Sequence, residues 1–272
     1  MEKISLTAKK SGKLSKIILL ELTGVSFSQI NKCLRNKDVL INGARVNKDL
    51  LVNAGDKIDL YLTRPKLLPY EKVYEDENVI LIDKKSGYES IAVFESLQKE
   101  YKDCRFIHRL DRNTSGIMVF ALNASSEEQL LKAFKSRNIE KYYIATVFGK
   151  MGKSQDILTA YLTKDSKNSA VKIFDKKQDG AVLIKTGYSV LESDGKTSKL
   201  YVTLYTGKTH QIRAHLAHIG HPIVGDGKYG NNKQNLEFNA KTQMLRAVKI
   251  KFNFEKENSL YYLNSLDFSL KG

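Results

Sequence analysis

The stretch His108-Arg109-Leu110-Asp111-Arg112-Asn113-Thr114-Ser115-Gly116 runs directly into Ile117-Met118-Val119-Phe120-Ala121-Leu122. The second half is a continuous apolar run, as a strand buried on both faces would be. The first half sets one carboxylate, Asp111, between two arginines, beside two hydroxyls and a glycine, just before that strand. Opposite charges nearby favour the ionised carboxylate, the form that nucleophilic or base chemistry requires. A purely structural ion pair would use the same residues, so charge alone leaves both readings open.

Outward from this stretch, Val79-Ile80-Leu81-Ile82 is a second apolar run of the same kind, and residues 142–148, 182–190 and 200–204 also read as strands. Ser125-Ser126-Glu127-Glu128 predicts the cap of a helix continuing through Leu130, Leu131 and Phe134. Ile212, Leu216 and Ile219 form a helical stripe ending at Gly220 and Pro222, which predicts a helix over 209–219. That register turns Arg213 away from the core face and leaves His215 on or near it, as a hydrogen-bonded core histidine. Neither a regular β-then-α rhythm nor a fixed-period repeat occurs. The fold class is therefore α+β, with a mixed, largely antiparallel sheet and flanking helices.

Two of the three prolines, Pro65 and Pro69, bracket the stretch 64–69, and proline's fixed φ and missing donor suit an extended linker. The expected organisation is a small N-terminal α/β domain over 1–64, a linker over 65–69 and a large domain over 70–272. In the small domain Leu14, Ile17, Ile18, Leu19 and Leu22 predict a first helix, and Ser26-Phe27-Ser28-Gln29 a capping box before Ile30, Cys33 and Leu34. Val39-Leu40-Ile41, Asn42-Gly43 and Arg45-Val46 read as strand, tight turn and return strand. A second turn at Asn53-Ala54-Gly55-Asp56 precedes Ile58, Leu60 and Leu62, which alternate inward. Residues 1–64 carry twelve Lys or Arg against six acids, a net +6.

The whole chain of 272 residues carries 45 Lys and Arg against 30 Asp and Glu, a net charge of +15, and such a field attracts polyanions. A membrane span needs about 18 or more apolar residues in a row, and the early run Ile17-Ile18-Leu19-Leu20 is cut short by Glu21. It is also too short for an export signal, so a cytoplasmic location is expected. Cys33 and Cys104 form no Cys-x-x-Cys pair, which argues against a thiolate zinc site and a disulfide scaffold and for two buried free thiols.

Three strings together resemble a known family. His108-Arg109-Leu110-Asp111-Arg112-Asn113-Thr114-Ser115-Gly116 is similar to the signature of the RluA-type pseudouridine synthases. Lys141-Tyr142-Tyr143-Ile144-Ala145, with Val147 and Gly149, resembles that family's second motif. Gly207-Lys208-Thr209-His210-Gln211-Ile212-Arg213, followed by His215, Gly220, Pro222, Gly225-Asp226 and Tyr229-Gly230, resembles its third. With Leu245 and Ala247 the similarity spans about residues 70–252. The N-terminal string from Ser28-Gln29-Ile30 to Asn42-Gly43, with Arg45-Val46 and Ala54-Gly55-Asp56, resembles the S-four-type RNA-binding domain. The chain departs from the synthase pattern at Lys84-Lys85-Ser86-Gly87, which lacks a usual proline, at Lys208, where arginine is usual, and at Asn113, commonly Asp or Glu.

The resemblance implies isomerisation of uridine in structured RNA, with Asp111 as catalytic carboxylate, Tyr143 stacking on the uracil or taking the carbon-5 proton, Arg213 paired with Asp111, and Arg109 filling vacated space or holding phosphate. It implies RNA contacts from Lys32, Arg35, Arg45, His108, Arg112, Lys208 and His210. Large-subunit ribosomal RNA is the expected substrate, with tRNA as the alternative. No cofactor or metal is required, no membrane partner is implied, and a monomer is expected. Two other classes compete. A non-catalytic RNA-binding or ribosome-assembly factor should have lost at least one of Asp111, Tyr143 and Arg213, and all three are present. A metal hydrolase built on His210, His215, His218 and His221 would find ligand spacing within the helix only at His215 and His218, with Asp226 as the nearby acid.

Overall fold

The computed structural model describes residues 2–22, 25, 27–62, 68–165 and 169–271. The chain divides into two compact units, Met1–Leu67 and Leu68–Gly272. Ser26 of the expected capping box and residues 65–67 of the expected linker lie outside the described residues. Pro69 belongs to the second unit, where its carbonyl accepts the Lys85 amide at 2.8 Å.

The first unit contains strands β1 (Glu2–Thr7) and β2 (Gly12–Lys13), helices α1 (Leu14–Glu21) and α2 (Phe27–Arg35), and strands β3 (Val39–Ile41), β4 (Ala44–Val46), β5 (Leu51–Val52) and β6 (Lys57–Leu62). Its four-stranded sheet has the order β1-β6-β3-β4. Asn42 and Gly43 have φ of 49° and 84°, the doubly positive pair that joins β3 to β4 as a type I′ hairpin. Leu14, Ile17 and Ile18 of α1 and Ile30, Cys33 and Leu34 of α2 meet Val39, Ile58, Leu60 and Leu62 in one core. The predicted α1 stripe needs correction at Leu19, which is exposed. Strand β1 was not foreseen, although Ile4 and Leu6 alternate along it and it pairs with β6 from Glu2↔Leu62 to Thr7↔Lys57.

The second unit begins with β7 (Tyr70–Glu75), β8 (Val79–Lys84), α3 (Ser90–Leu97), β9 (Arg105–Phe106) and β10 (Ser115–Ala121). It continues with α4 (Ala124–Ser136), β11 (Ile139–Phe148), β12 (Gln155–Asp165), β13 (Ala170–Phe174), β14 (Val182–Ser193) and β15 (Thr197–Leu204). The last elements are α5 (Gln211–His218), α6 (Asn232–Glu237), β16 (Leu245–Phe252), a 3-10 turn at Tyr261–Ser265 and β17 (Phe268–Ser269). An eleven-stranded sheet runs β13-β12-β14-β15-β11-β16-β10-β8-β7, with β17 beside β16 and β9 beside β10. This mixed, mostly antiparallel sheet with few helices is the α+β class expected. Among the described residues, β10 and β16 form the sole parallel pair, meeting at Ser115↔Arg246 and Gly116↔Ala247.

The apolar runs behave as buried strands: Val79, Ile80, Leu81 and Ile82, and Met118 through Ala121, are fully buried. Even-numbered residues of β8 and β10 pack toward α3, with Val93 and Leu97; odd-numbered ones pack toward α4, with Leu130 and Ala133. The cap of α4 is Asn123, whose side chain accepts the Ser126 amide at 2.9 Å, and not the Ser125-Ser126 pair. Gln211–His218 is shorter than the helix predicted over 209–219, because His210 takes a left-handed conformation at φ 54°.

Gly116 holds the parallel junction together. A Cβ built there would sit 2.1 Å from the Ala247 carbonyl oxygen, and its φ of +116° disfavours any L side chain. Gly195 has φ +84° and nothing within 4 Å. Gly116→Ala is expected to cost roughly 3 kcal/mol or more through strain and backbone clash, whereas Gly195→Ala should cost only about 1–2 kcal/mol. Thermal and urea denaturation of both variants check this; equal losses would remove the steric account of the junction.

Candidate active site

The loop from His108 to Thr114 leads into β10 and is fixed along its length. Ser90 Oγ donates to the Leu110 carbonyl at 2.8 Å and accepts the Leu110 amide at 3.0 Å. Lys84, fully buried at the end of β8, donates to the carbonyls of Tyr88 at 2.8 Å, Arg112 at 3.0 Å and Lys85 at 3.1 Å. Burial pulls its amine down to about 8. The Gly87 amide also donates to Arg112 O at 2.9 Å, and Ser86 Oγ to Asn113 O at 2.9 Å. The tetrapeptide that departs from the family pattern thus clamps the loop bearing Asp111. Gln243 donates to Thr114 Oγ1 from the far side at 2.9 Å.

Three separated segments, the Asp111 loop, α5 and the loop bearing Asp226, meet at the Arg213 guanidinium. Arg213, on α5, donates from Nη1 to Asp111 Oδ2 at 2.8 Å. The same guanidinium grips Asp226 with Nε at 2.7 Å and Nη2 at 2.9 Å. Asp226 also accepts the backbone amides of Lys228 and Tyr229. Burial would raise the Asp226 pKa, but the Arg213 contacts and these two amides outweigh it and hold the carboxyl below its ordinary value. Tyr229 lies under the guanidinium, 5.2 Å from ring centroid to Cζ, and its hydroxyl meets His210 Nδ1 at 2.8 Å. His210 Nε2 stands 3.9 Å from Asp111 Oδ2. Burial lowers the His210 pKa, which keeps the ring neutral near pH 7.

A cavity of about 290 Å³ opens over this cluster, lined by Asp111, Arg109, Tyr143, Lys208, His210 and Arg213 among others. Tyr143, on β11, is buried, and its phenol is pushed up first by burial and then by the Asp111 charge, so the proton stays on the oxygen. A larger cavity of about 600 Å³ lies at Ile144, Thr146, Lys199, Met244 and Arg246. Ile144 alternates with Tyr143 along the strand, so that cavity is on the other face of the sheet and shares none of the Asp111 cluster.

Several sequence expectations change here. The arginines flanking Asp111 in sequence are not its ionic partners: Arg109 is exposed at the cavity rim, and Arg112 donates to the Gly87 carbonyl at 3.0 Å outside the cavity. His108 lines the cavity, but its Nε2 accepts the Val119 amide at 3.1 Å and its ring stacks on Phe134. Burial pulls its pKa down to about 3, so it offers RNA no positive charge near neutral pH and instead anchors the loop to β10. His215 bonds Thr186 Oγ1 at 3.0 Å within the core. The other histidines face separate partners, His218 with Asp175 and His221 with the Phe148 carbonyl. Among the described residues, no group of three or more His, Cys, Asp or Glu is arranged to hold a metal ion. Lys32, Arg35 and Arg45 are exposed on the first unit. The anchoring role of Asp226 and the clamp of Lys84 were missed; a charged residue closing an apolar strand was the available signal for Lys84.

Comparison with known proteins gives the family of the chain. Residues 78–218 match the family model described as RNA pseudouridylate synthase. A Rickettsia bellii protein named ribosomal large subunit pseudouridine synthase C is 32% identical, over 75% of this chain and 78% of its own length. A Haemophilus influenzae protein of the same name is 28% identical, over 98% of this chain and 92% of its own. In fold, the chain is similar to human RNA pseudouridylate synthase domain containing 1, with a TM-score of 0.64 and 24% identity over 77% of this chain and 86% of that one. The chain belongs to the RNA pseudouridylate synthase family, isomerases that convert uridine in RNA to pseudouridine.

Proposed function

We propose that this isomerase acts on large-subunit ribosomal RNA and that Asp111 is its catalytic carboxylate. The observation that carries the reading is the contact of Asp111 Oδ2 with Arg213 Nη1 at 2.8 Å, in a cavity that also holds Tyr143. The target uridine must leave its stack to enter that cavity. Asp111 then attacks the ribose anomeric carbon or carbon-6 of the ring, or assists formation of an unsaturated sugar. The N1–C1′ bond breaks, the uracil turns, and a C5–C1′ bond forms as the carbon-5 proton leaves and N1 gains one. Arg213 fixes the carboxylate, and Tyr143, as a neutral phenol, packs against the turning base. Arg109 at the rim occupies the vacated stack or holds phosphate, with Lys208 and His210 beside the entering strand. The first unit, with its hairpin at Asn42-Gly43 and exposed Lys32, Arg35 and Arg45, acts as an S-four-type RNA-binding domain.

The choice of large-subunit ribosomal RNA rests on the names of the relatives and on the net charge of +15. Mapping pseudouridines in cells with and without the gene tests it. One or more large-subunit ribosomal sites should be lost; loss confined to tRNA would overturn the substrate assignment.

Arg213→Ala and Asp226→Asn should lower the single-turnover rate at saturating RNA by about 100-fold or more while changing RNA affinity less than about threefold. Wild-type rates in both variants would remove Arg213 from the reaction. Lys32→Ala combined with Arg35→Ala should do the reverse, leaving the rate and lowering the slope of log K against log salt by about two. An unchanged slope would show that these cations do not meet phosphate.

A further inference from the structure

Lys141 lines the same cavity and has no part in the reaction described above. It lies on β11 two residues before Tyr143, so both side chains leave the same face of the strand. Its Nζ sits 5.1 Å from the centroid of Phe134, and a Cβ on Gly207 would come within 3.2 Å of it. The Phe134 ring, on which the neutral His108 ring stacks, and the Gly207 backbone thus lie beside the ammonium. Burial lowers its pKa, and its charge in turn helps to depress that of His108.

Among the described residues, this ammonium makes neither an ion pair nor a hydrogen bond. Two more deeply buried cations of this unit are compensated. Lys84 has three carbonyl acceptors, and Arg213 has two carboxylates. Lys141 is half-buried, and a partly desolvated charge without a counterion is unfavourable; an anion that arrives with the ligand relieves that cost. Asp111 and Asp226 are committed to Arg213, so neither supplies it. RNA brings one anion per nucleotide in its phosphodiester, whereas the uracil carbonyls are neutral and compensate a cation less well. Phe134 holds the ammonium from below by a cation–π contact, leaving its remaining donors for the cavity.

We propose that Lys141 is a phosphate-binding residue, whose ammonium takes a non-bridging oxygen of the phosphodiester adjoining the flipped uridine. This rests on the reading that the uridine enters the cavity beside Asp111. The contact gives the enzyme a handle on the backbone at the flipped position, separate from the cations of the first unit. Gly207 serves it by leaving room where any side chain would press on Nζ.

Total RNA labelled with tritium at uridine carbon-5, from cells lacking the gene, is the probe, because pseudouridine formation breaks the C5–H bond whichever RNA is the substrate. Release is followed against RNA concentration and salt for the wild type, Lys141→Gln, Lys141→Met and Lys141→Arg. The Gln and Met variants should need about tenfold more RNA for half-maximal release and lose about one from the log–log salt slope, while their saturated single-turnover rate stays within about threefold. Lys141→Arg should keep the wild-type slope. If Lys141→Gln needs more RNA with an unchanged slope, Lys141 meets a neutral group and the phosphate assignment fails. If concentration and slope both stay at wild-type values, or only the saturated rate falls, it fails as well. Lys141→Gln against Lys141→Arg decides the matter even if Lys141→Met does not fold. Failure of the Asp111 reading is seen separately, as tritium release by Asp111→Asn in the same assay.

Discussion

Asp226 is a carboxylate with no solvent exposure, and a buried charge is tolerated only where its partners replace the water it has lost. Two nitrogens of Arg213 and the amides of Lys228 and Tyr229 do so. A guanidinium gripped at both ends by one carboxylate cannot rotate, so its remaining nitrogen points in a fixed direction. Asp111 lies in that direction, 102 residues earlier in the chain. The arrangement requires arginine: a lysine could neutralise Asp226 but could not present a rigid fork to two carboxylates at once.

The rest of the second unit brings the two ends of this contact together. The parallel pair β10·β16, possible only with glycine at 116, seats the start of β10 against Ala247, while α5 holds Arg213 over the same region of the sheet. Gln211, at the start of α5, is tied to Thr206, the Lys208 amide, the Lys185 carbonyl and Thr186, which fixes the turn from β15 into the helix. On the other side Lys84 and Ser90 hold the Asp111 loop by its backbone. The Asp111 carboxylate is therefore set by its supports from both sides, as a site needing fixed geometry requires.

Much of this was legible in the sequence. The apolar runs at 79–82 and 117–122 signal buried strands because they exceed any alternating pattern, and Asn42-Gly43 signals its hairpin because few residues accept two positive φ values. Long-range ion pairs have no such signature. Charge proximity along the chain suggested Arg109 and Arg112 as partners of Asp111, yet strand and loop geometry directs both elsewhere; the pairing with Arg213 was accessible only through the family resemblance. Asp226 enters the sequence reading only within the third motif and as the nearby acid of a metal site, because nothing in Gly225-Asp226 reveals an arginine one and a half turns of helix and a loop away. Strand β1 was missed for a related reason: six residues with two apolar positions carry little signal without the β6 partner that makes them a strand.

The central claim is that Asp111 is the carboxylate on which isomerisation depends, and not one half of a structural ion pair. The most direct measurement is single-turnover conversion of uridine to pseudouridine by pure Asp111→Asn, at RNA concentrations that saturate the wild type. The amide keeps the shape of the side chain and can still lie against Arg213, but it lacks the anionic oxygen that nucleophilic or base chemistry requires. The account predicts no detectable product, with RNA affinity and melting temperature close to those of the wild type. Substantial turnover by that variant would contradict it.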